Sequence, residues 1–327
     1  MFLLGLLSMV GTYVGNKQDL SCFGSRDCEK IYMDLHMHTR YSDGIFNEPE
    51  TNVRLNAFNG IKVMGNSDHD NYRGYYAAAE EGKRLGVVVV PESEITTPKY
   101  HLLSINFDIE DVSMTDFLDY SRGLQEEKCE LRVERLKRYG MPIDMETVRK
   151  YNPEARLGKF NIFVSALLEG DTRRFIESDT PGMGWYNRFQ HYLGREGVVG
   201  ELPDFGVSEE EAIEMVHKAG GKIGLAHPPK DIKNIAELDR LVELGVDFLE
   251  VQPNMRGKFK DGINYDFIVE YAKRKGLPIS YGSDYHGPTF ERETLKAGGE
   301  NVLTEYLEEM LSDGYVNVSE ELRGVCC

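Results

Sequence analysis

Short apolar runs of strand length alternate with helical patterns along most of this chain, and most of those runs end in a histidine or a carboxylate. From residue 31 to about 108, IYMDLHMH, IKVMGNSDHD, VVVVPESEIT and HLLSINFD read as strands. Between them, Glu48 to Asn59 carries Pro49 in its first turn, and YYAAAEEGKRLG ends on Gly86, so both read as helices. The rhythm resumes near Ser208, whose spacing to Glu211 is that of a capping box. There KIGLAHP, VDFLEVQPN and PISYGSDYHG read as strands, and IAELDRLVELG and YDFIVEYAKRKG as helices. This alternation predicts an α/β fold of βα units around a parallel sheet or barrel. In such folds reactive groups gather past the C-terminal ends of the strands.

Six of the eight histidines fall in such clusters, five of them past a strand end. On a strand, alternate residues share a face, so Asp34, His36 and His38 would project together. The same spacing returns in Asp284 and His286, and in Glu92 and Glu94. Asp68-His69-Asp70, His101 and His227 complete the set. Imidazole with carboxylate suits Mn, Fe or Zn, and several carboxylates allow more than one ion, which points to metal-assisted hydrolysis. His191 and His217 lie in helical patterns without such neighbours and read as structural. His101 begins its strand rather than ending it, which fits an antiparallel or irregular element.

Residues 109–206 have a different texture, with helical patterns such as MTDFLDYSRGLQEEKCELRVERLKRYG and FNIFVSALLEG. From Ser121 to Gly200 there are 14 Lys/Arg against 12 Asp/Glu, in a chain of net charge −17. Most of these charges suit a solvated helical face with i,i+4 pairs. Lys159 and Arg195 are the candidates to reach over the metals and bind phosphate.

The net charge repels polyanions and argues against a general nucleic-acid coat protein. Five cysteines without a CxxC spacing exclude a zinc-thiolate site and fit reduced thiols in a cytoplasmic protein. MFLLGLLSMVGTYVG is short for a membrane span and lacks a basic n-region, so residues 1–30 read as an extension of unknown role and no membrane partner is expected.

The ordered set DLHMHTRYSDG, SDHD, SEIT, His101, LAHP and GSDYH closely resembles the PHP (polymerase and histidinol phosphatase) family, from about Tyr32 to Gly287. The resemblance implies a distorted barrel of seven β/α units with an inserted, mainly helical subdomain. Residues 31–108 and 207–327 would form the barrel, and 109–206 the insert. It implies two or three divalent ions on His36, His38, Asp43, His69, Glu94, His101, His227, Asp284 and His286, with Glu94 bridging and Glu92 as its alternative. In the inserted branch the substrates are nucleoside 3′,5′-bisphosphates, the 5′ ends of short oligonucleotides or a cyclic ribose phosphate. The insert departs from the family pattern: Lys159 and Asn161 stand where Arg and His are common, Val164 where Arg often stands, and Val198-Val199 where a polar-Pro pair is usual.

The expected activity is hydrolysis of a small phosphorylated nucleoside or sugar by a metal-activated hydroxide, with Asp70 or His227 as candidate acid for the leaving oxygen. A phosphodiesterase that opens a cyclic ribose phosphate is the alternative. A non-catalytic PHP-type structural module and an amidohydrolase are further readings. The expected partner is a small phosphorylated substrate, with no nucleic acid beyond short oligonucleotides.

Overall fold

The computed structural model describes residues 32–252 and 263–287. The extension read over residues 1–30 lies outside the described residues, as do Cys22, Cys28, Cys326 and Cys327. Among the described residues no helix is long and apolar enough to cross a membrane.

Two sheets carry the expected rhythm. In the first, β1 (Tyr32–Asp34), β2 (Ile61–Gly65) and β3 (Val88–Val90) run parallel in that order. Parallel neighbours need crossovers, supplied by α1 (Pro49–Phe58) and α2 (Gly74–Leu85). The run VVVVPESEIT, read as one strand, divides at Pro91: Val88–Val90 stays in the first sheet, and β4 (Glu92–Thr96) opens the second. Proline has no N–H for a ladder, so pairing stops where it stands. Next to β4 comes β5 (His101–Ile105), antiparallel to β4 and to β6 (Lys222–Leu225). Of the antiparallel or irregular element expected at His101, the antiparallel form is the one observed. The parallel strands β7 (Phe248–Val251) and β8 (Ile279–Tyr281) complete the sheet.

The two sheets meet along two seams. At one, His69 bridges Glu94, with Asp70 N donating to Glu94 O at 3.0 Å. At the other, Met37 bridges Tyr285, with His38 N donating to Tyr285 O and Asp284 N to His36 O, each at 2.7 Å. The segments bearing the expected ligands are thus hydrogen-bonded side by side.

The helical stretch expected between the two halves forms α3 (Val112–Tyr139), α4 (Met145–Tyr151), α5 (Lys159–Leu168), α6 (Gly170–Asp179) and α7 (Trp185–Leu193). Asp111 caps α3 by accepting from Ser113 N at 2.8 Å. These helices enclose a core of their own around Cys129, Leu136, Ile162, Phe163, Ile176 and Tyr192. Val164 and Val199, two of the departures from the family pattern, are buried in this region. Asn161 accepts from Gly158 N at 2.8 Å at the start of α5 and donates to Ser42 O at 2.8 Å. It therefore ties the helices to the loop after β1.

The rest of the chain wraps the second sheet with α8 (Glu209–Lys218), the short α9 (Pro228–Asp231), α10 (Ile235–Leu244) and α11 (Tyr265–Lys275). Ser208 and Glu211 form the expected capping box of α8. His217, in the last turn of α8, meets Asp247 at 2.7 Å, a structural pairing.

Candidate metal centre

Five imidazoles converge on one carboxylate. Glu94 Oε2 lies 3.3 Å from His36 Nε2, 3.3 Å from His38 Nε2 and 3.1 Å from His69 Nδ1. Its Oε1 lies 3.0 Å from both His101 Nδ1 and His227 Nε2. Burial would push this carboxyl up, but His69, His36 and His101 hold it well below the usual carboxylate range.

The hydrogen-bond partners favour one tautomer for each neutral ring. His36 Nδ1 lies 2.7 Å from Glu250 Oε1, an acceptor, so the proton sits on Nδ1. Ser42 Oγ donates to Asp68 Oδ1 at 2.6 Å, which leaves its lone pair for His38 Nδ1–H at 3.3 Å. When each ring is neutral with its proton on Nδ1, both turn Nε2 lone pairs inward, 3.1 Å apart. Burial would lower His36, but Glu250, Glu94 and Asp284 hold it well above the usual imidazole range, so that state needs a cation in place of the second proton. Glu94 Oε2 and Asp284 Oδ1 meet them there, the latter at 3.5 and 3.3 Å. Four electron-rich atoms at one point repel unless a cation lies among them. Nearby, the buried Asp43 Oδ1 and His69 Nδ1 make no well-directed hydrogen bond, although His286 Nε2 and Glu94 Oε2 lie 3.3 and 3.1 Å from them. The donor set therefore fits metal ions of the Mn, Fe or Zn class.

Four overlapping groups have ligand atoms within 4.8 Å of one another. They are His36-His38-Asp284, His36-Glu94-His227, His69-Glu94-His101 and His38-Asp43-His69-His286. Together they contain every expected ligand. His286 Nδ1 faces the Asp284 carbonyl at 2.7 Å, which turns its Nε2 toward Asp43 at 3.3 Å.

Backbone strain gathers at this centre. Asp70, His227 and Asp284 have φ of 47°, 31° and 55°, in the left-handed region that side chains other than glycine seldom adopt. Gly282 has no side chain because a Cβ there would lie 2.2 Å from His36 Cβ. Glu92, the alternative to Glu94, lies outside the four groups. It is fully buried, burial pushes its carboxyl well up, and neither oxygen finds a hydrogen-bond partner. It occupies space that a side chain at position 65 would need: a Cβ on Gly65 would fall 1.5 Å from Glu92 Oε2.

The other sequence candidates have separate places. Asp70 is fully buried, and its carboxylate accepts from Thr96 N at 2.8 Å, Ser121 Oγ at 2.7 Å and Arg156 Nε at 3.2 Å. Lys159 lines a cavity of about 390 Å³ that also touches His101, Lys128, Arg132, Arg156 and Asp231. The structure does not bring Arg195 to the centre: its side chain is 84% exposed and pairs with Glu201. Sequence reasoning missed Lys230, whose Nζ donates to Asp284 Oδ2 at 2.7 Å. Its signal was present in LAHPPK, where a single turn of helix after His227 folds the lysine back. It also missed Arg156, which reaches the centre's loops from the helical region.

An α/β sheet protein with a histidine–carboxylate metal centre is the class that fold and site define. No family model matches the chain. Among curated proteins it is 30% identical to a 5'-3' exoribonuclease Rnm of Salmonella typhimurium, over 79% of this chain and 86% of that protein. It is 25% identical to a phosphoribosyl 1,2-cyclic phosphate 1,2-diphosphodiesterase of Eggerthella lenta, over 78% of this chain and 94% of that protein. Among solved structures, a putative metal-dependent phosphoesterase of Bifidobacterium adolescentis superposes with a TM-score of 0.66 at 22% identity, over 90% of this chain and 99% of that one. The chain belongs to the PHP family of metal-dependent phosphoesterases, hydrolases of phosphate esters.

Proposed function

We propose that this chain hydrolyses phosphate esters at the 5′ end of short RNA, with nucleoside 3′,5′-bisphosphates as the smallest substrates of the same centre. The observation that carries the reading is the convergence of five imidazoles on Glu94. The exoribonuclease relative supports RNA as the substrate. The net charge of −17 disfavours long polyanions and suits short ones. A cyclic ribose phosphate is the second reading, favoured by the diphosphodiesterase relative.

We read the two sheets as one distorted barrel, with residues 32–108, 207–252 and 263–287 as its described parts and 109–206 as the inserted subdomain; the remainder of the second part expected from the sequence, 288–327, lies outside the described residues. In this reading His36, His38, Asp43, His69, Glu94, His101, His227, Asp284 and His286 hold two or three divalent ions, with Glu94 shared. Such ions supply charge neutralisation for the phosphate and acidify a water. Glu250 keeps the His36 proton on Nδ1, and Lys230 holds Asp284 so that Oδ1 faces the histidines. Asp70, with three donors on its carboxylate, is assigned to positioning the loop that carries His69. His227 lies 3.2 Å from Asp231 through Nδ1, a pairing that would turn its Nε2 toward Glu94 and the ions and that leaves neither nitrogen to protonate the leaving oxygen. Lys159 is retained as a substrate contact, and Arg195 is not.

The test is product analysis with Mn-loaded protein on three substrates: 5′-phosphorylated short RNA, adenosine 3′,5′-bisphosphate and ribose 1,2-cyclic phosphate 5-phosphate. Release of mononucleotide from the RNA, and of phosphate from the bisphosphate, is the expected result. Turnover of the cyclic ester alone would replace this reading with the second one.

A further inference from the structure

Helix α7 carries aromatic rings that the metal centre does not use. Trp185, Tyr186 and Phe189 lie on it, and Met183 stands in the turn just before. Tyr186 is 58% exposed and Met183 43%. Trp185 and Phe189, one helical turn apart on one side of α7, are half-buried and packed on the core of the helical region. The rings are therefore anchored from below and open above. Single exposed apolar side chains are ordinary, whereas a contiguous set marks a binding surface. Here the set is contiguous: the rings of Trp185 and Tyr186 lie 5.9 Å apart, and Phe189 lies 5.5 Å from Phe163.

The rings continue toward the metal centre. Phe189 lies 6.3 Å from Phe160, at the start of α5. Phe160 follows Lys159, which lines the cavity that also touches His101. A cation stands on the same helix as the rings. Arg188 Nη2 donates to Thr180 O at 3.2 Å, yet its Nε is buried without a hydrogen-bond partner, and no carboxylate among the described residues pairs with it. Asp179, beside Thr180, is taken up by Tyr139 and Tyr192, which donate to it at 3.1 and 2.9 Å.

Aromatic faces with an arginine between them, continuous with a site for phosphate esters, suit one kind of occupant. Every nucleobase has a face that stacks on such rings, and a guanidinium stacks on a base or takes a phosphate. We propose that the aromatic face of α7, with Arg188, binds the nucleobases that follow the first nucleotide of a single-stranded RNA whose 5′ end lies at the metal centre. The inference rests on the phosphoesterase reading for the identity of the ligand and extends it. Chain length becomes a determinant of affinity, because a mononucleotide stops short of α7.

Trp185 is the only tryptophan of the chain, so its fluorescence reports on this face. The full-length, Mn-loaded protein is titrated with hydrolysis-resistant phosphorothioate ligands: a hexanucleotide, the same backbone without bases, and a mononucleotide. The hexanucleotide should bind most tightly and quench Trp185, and the abasic chain should bind more weakly without quenching. Tyr186→Ser should weaken hexanucleotide binding by about 10-fold and shrink its advantage over the mononucleotide. Tyr186→Phe keeps the ring and should restore both, and Arg188→Gln offers a second variant with the same readout. Equal binding of the normal and abasic chains, or hexanucleotide binding indifferent to both substitutions, would overturn the proposal. So would a dimer in light scattering that Tyr186→Ser abolishes, which would give the face to a second copy of this chain. Base-dependent binding without hydrolysis of any phosphate ester would sink the phosphoesterase reading and keep the RNA face. Hydrolysis of adenosine 3′,5′-bisphosphate, with hexanucleotide binding indifferent to bases and to Tyr186, would do the reverse.

Discussion

The metal centre and the helical region solve opposite electrostatic problems. At the centre, carboxylates and imidazoles are packed together, and the charge that would balance them is positive. In the cavity beside it, cations are packed together, and the charge that would balance them is negative. The two are joined at His101 on one wall and Arg156 on another. Each half is unfavourable alone and favourable once a metal and a phosphorylated ligand are both present. A substrate that spans them would satisfy both at once.

Substitutions that touch one half should break that contrast in a graded way. Glu94→Gln is expected to have the largest effect. It removes the charge that five imidazoles share, so metal content measured by mass spectrometry should collapse, and hydrolysis should fall by roughly 10³-fold or more. Retention of both would undo the assignment of Glu94 as the shared ligand. Arg156→Met comes next, because it cuts the link between the halves and leaves Asp70 buried without its charged partner. Urea unfolding should register a loss of about 3–5 kcal/mol; an unchanged midpoint would mean that Ser121 and Thr96 suffice for Asp70.

Lys230→Met acts at the metal half alone. Without Nζ, Asp284 loses the contact that orients it, and metal affinity or turnover should drop by about 10–100-fold. Recovery in Lys230→Arg would distinguish orientation of Asp284 from packing. The smallest effect belongs to Cys129, deep in the helical core. Burial pushes its thiol up to about 12, against about 8.5 in an unfolded chain. A group whose folded value is raised contributes stability that is complete below about 8.5 and fades as pH climbs toward 12. Cys129→Val should therefore flatten the alkaline decline in urea midpoint, and an unaltered slope would assign that decline to other groups.

The metal half was far more legible in the sequence than the cationic half. His36 and His38, or Asp284 and His286, announce themselves because ligands from one strand end are two residues apart. Glu250 stood at a strand end too, but its contact with His36 spans 214 residues and has no local spacing. Lys230 and Asp284 are likewise 54 residues apart. In the helical region a charge on a helix says little about its direction. Arg195 lies in a motif-like segment and points to solvent, while Arg132, one charge among many on α3, is buried. The break at Pro91 followed from a residue in plain view, yet the continuous valine run before it masked the change of sheet.

Gly65 and Glu92 carry a consequence for how such a chain can change over generations. The glutamate fills the volume that any side chain at position 65 would require. The two positions therefore form a lock with a preferred order of opening. A side chain at 65 requires the Glu92 carboxylate to leave its place, so loss of Glu92 is the easier first step toward one. Neighbouring sequences should populate three of the four combinations and leave the fourth empty.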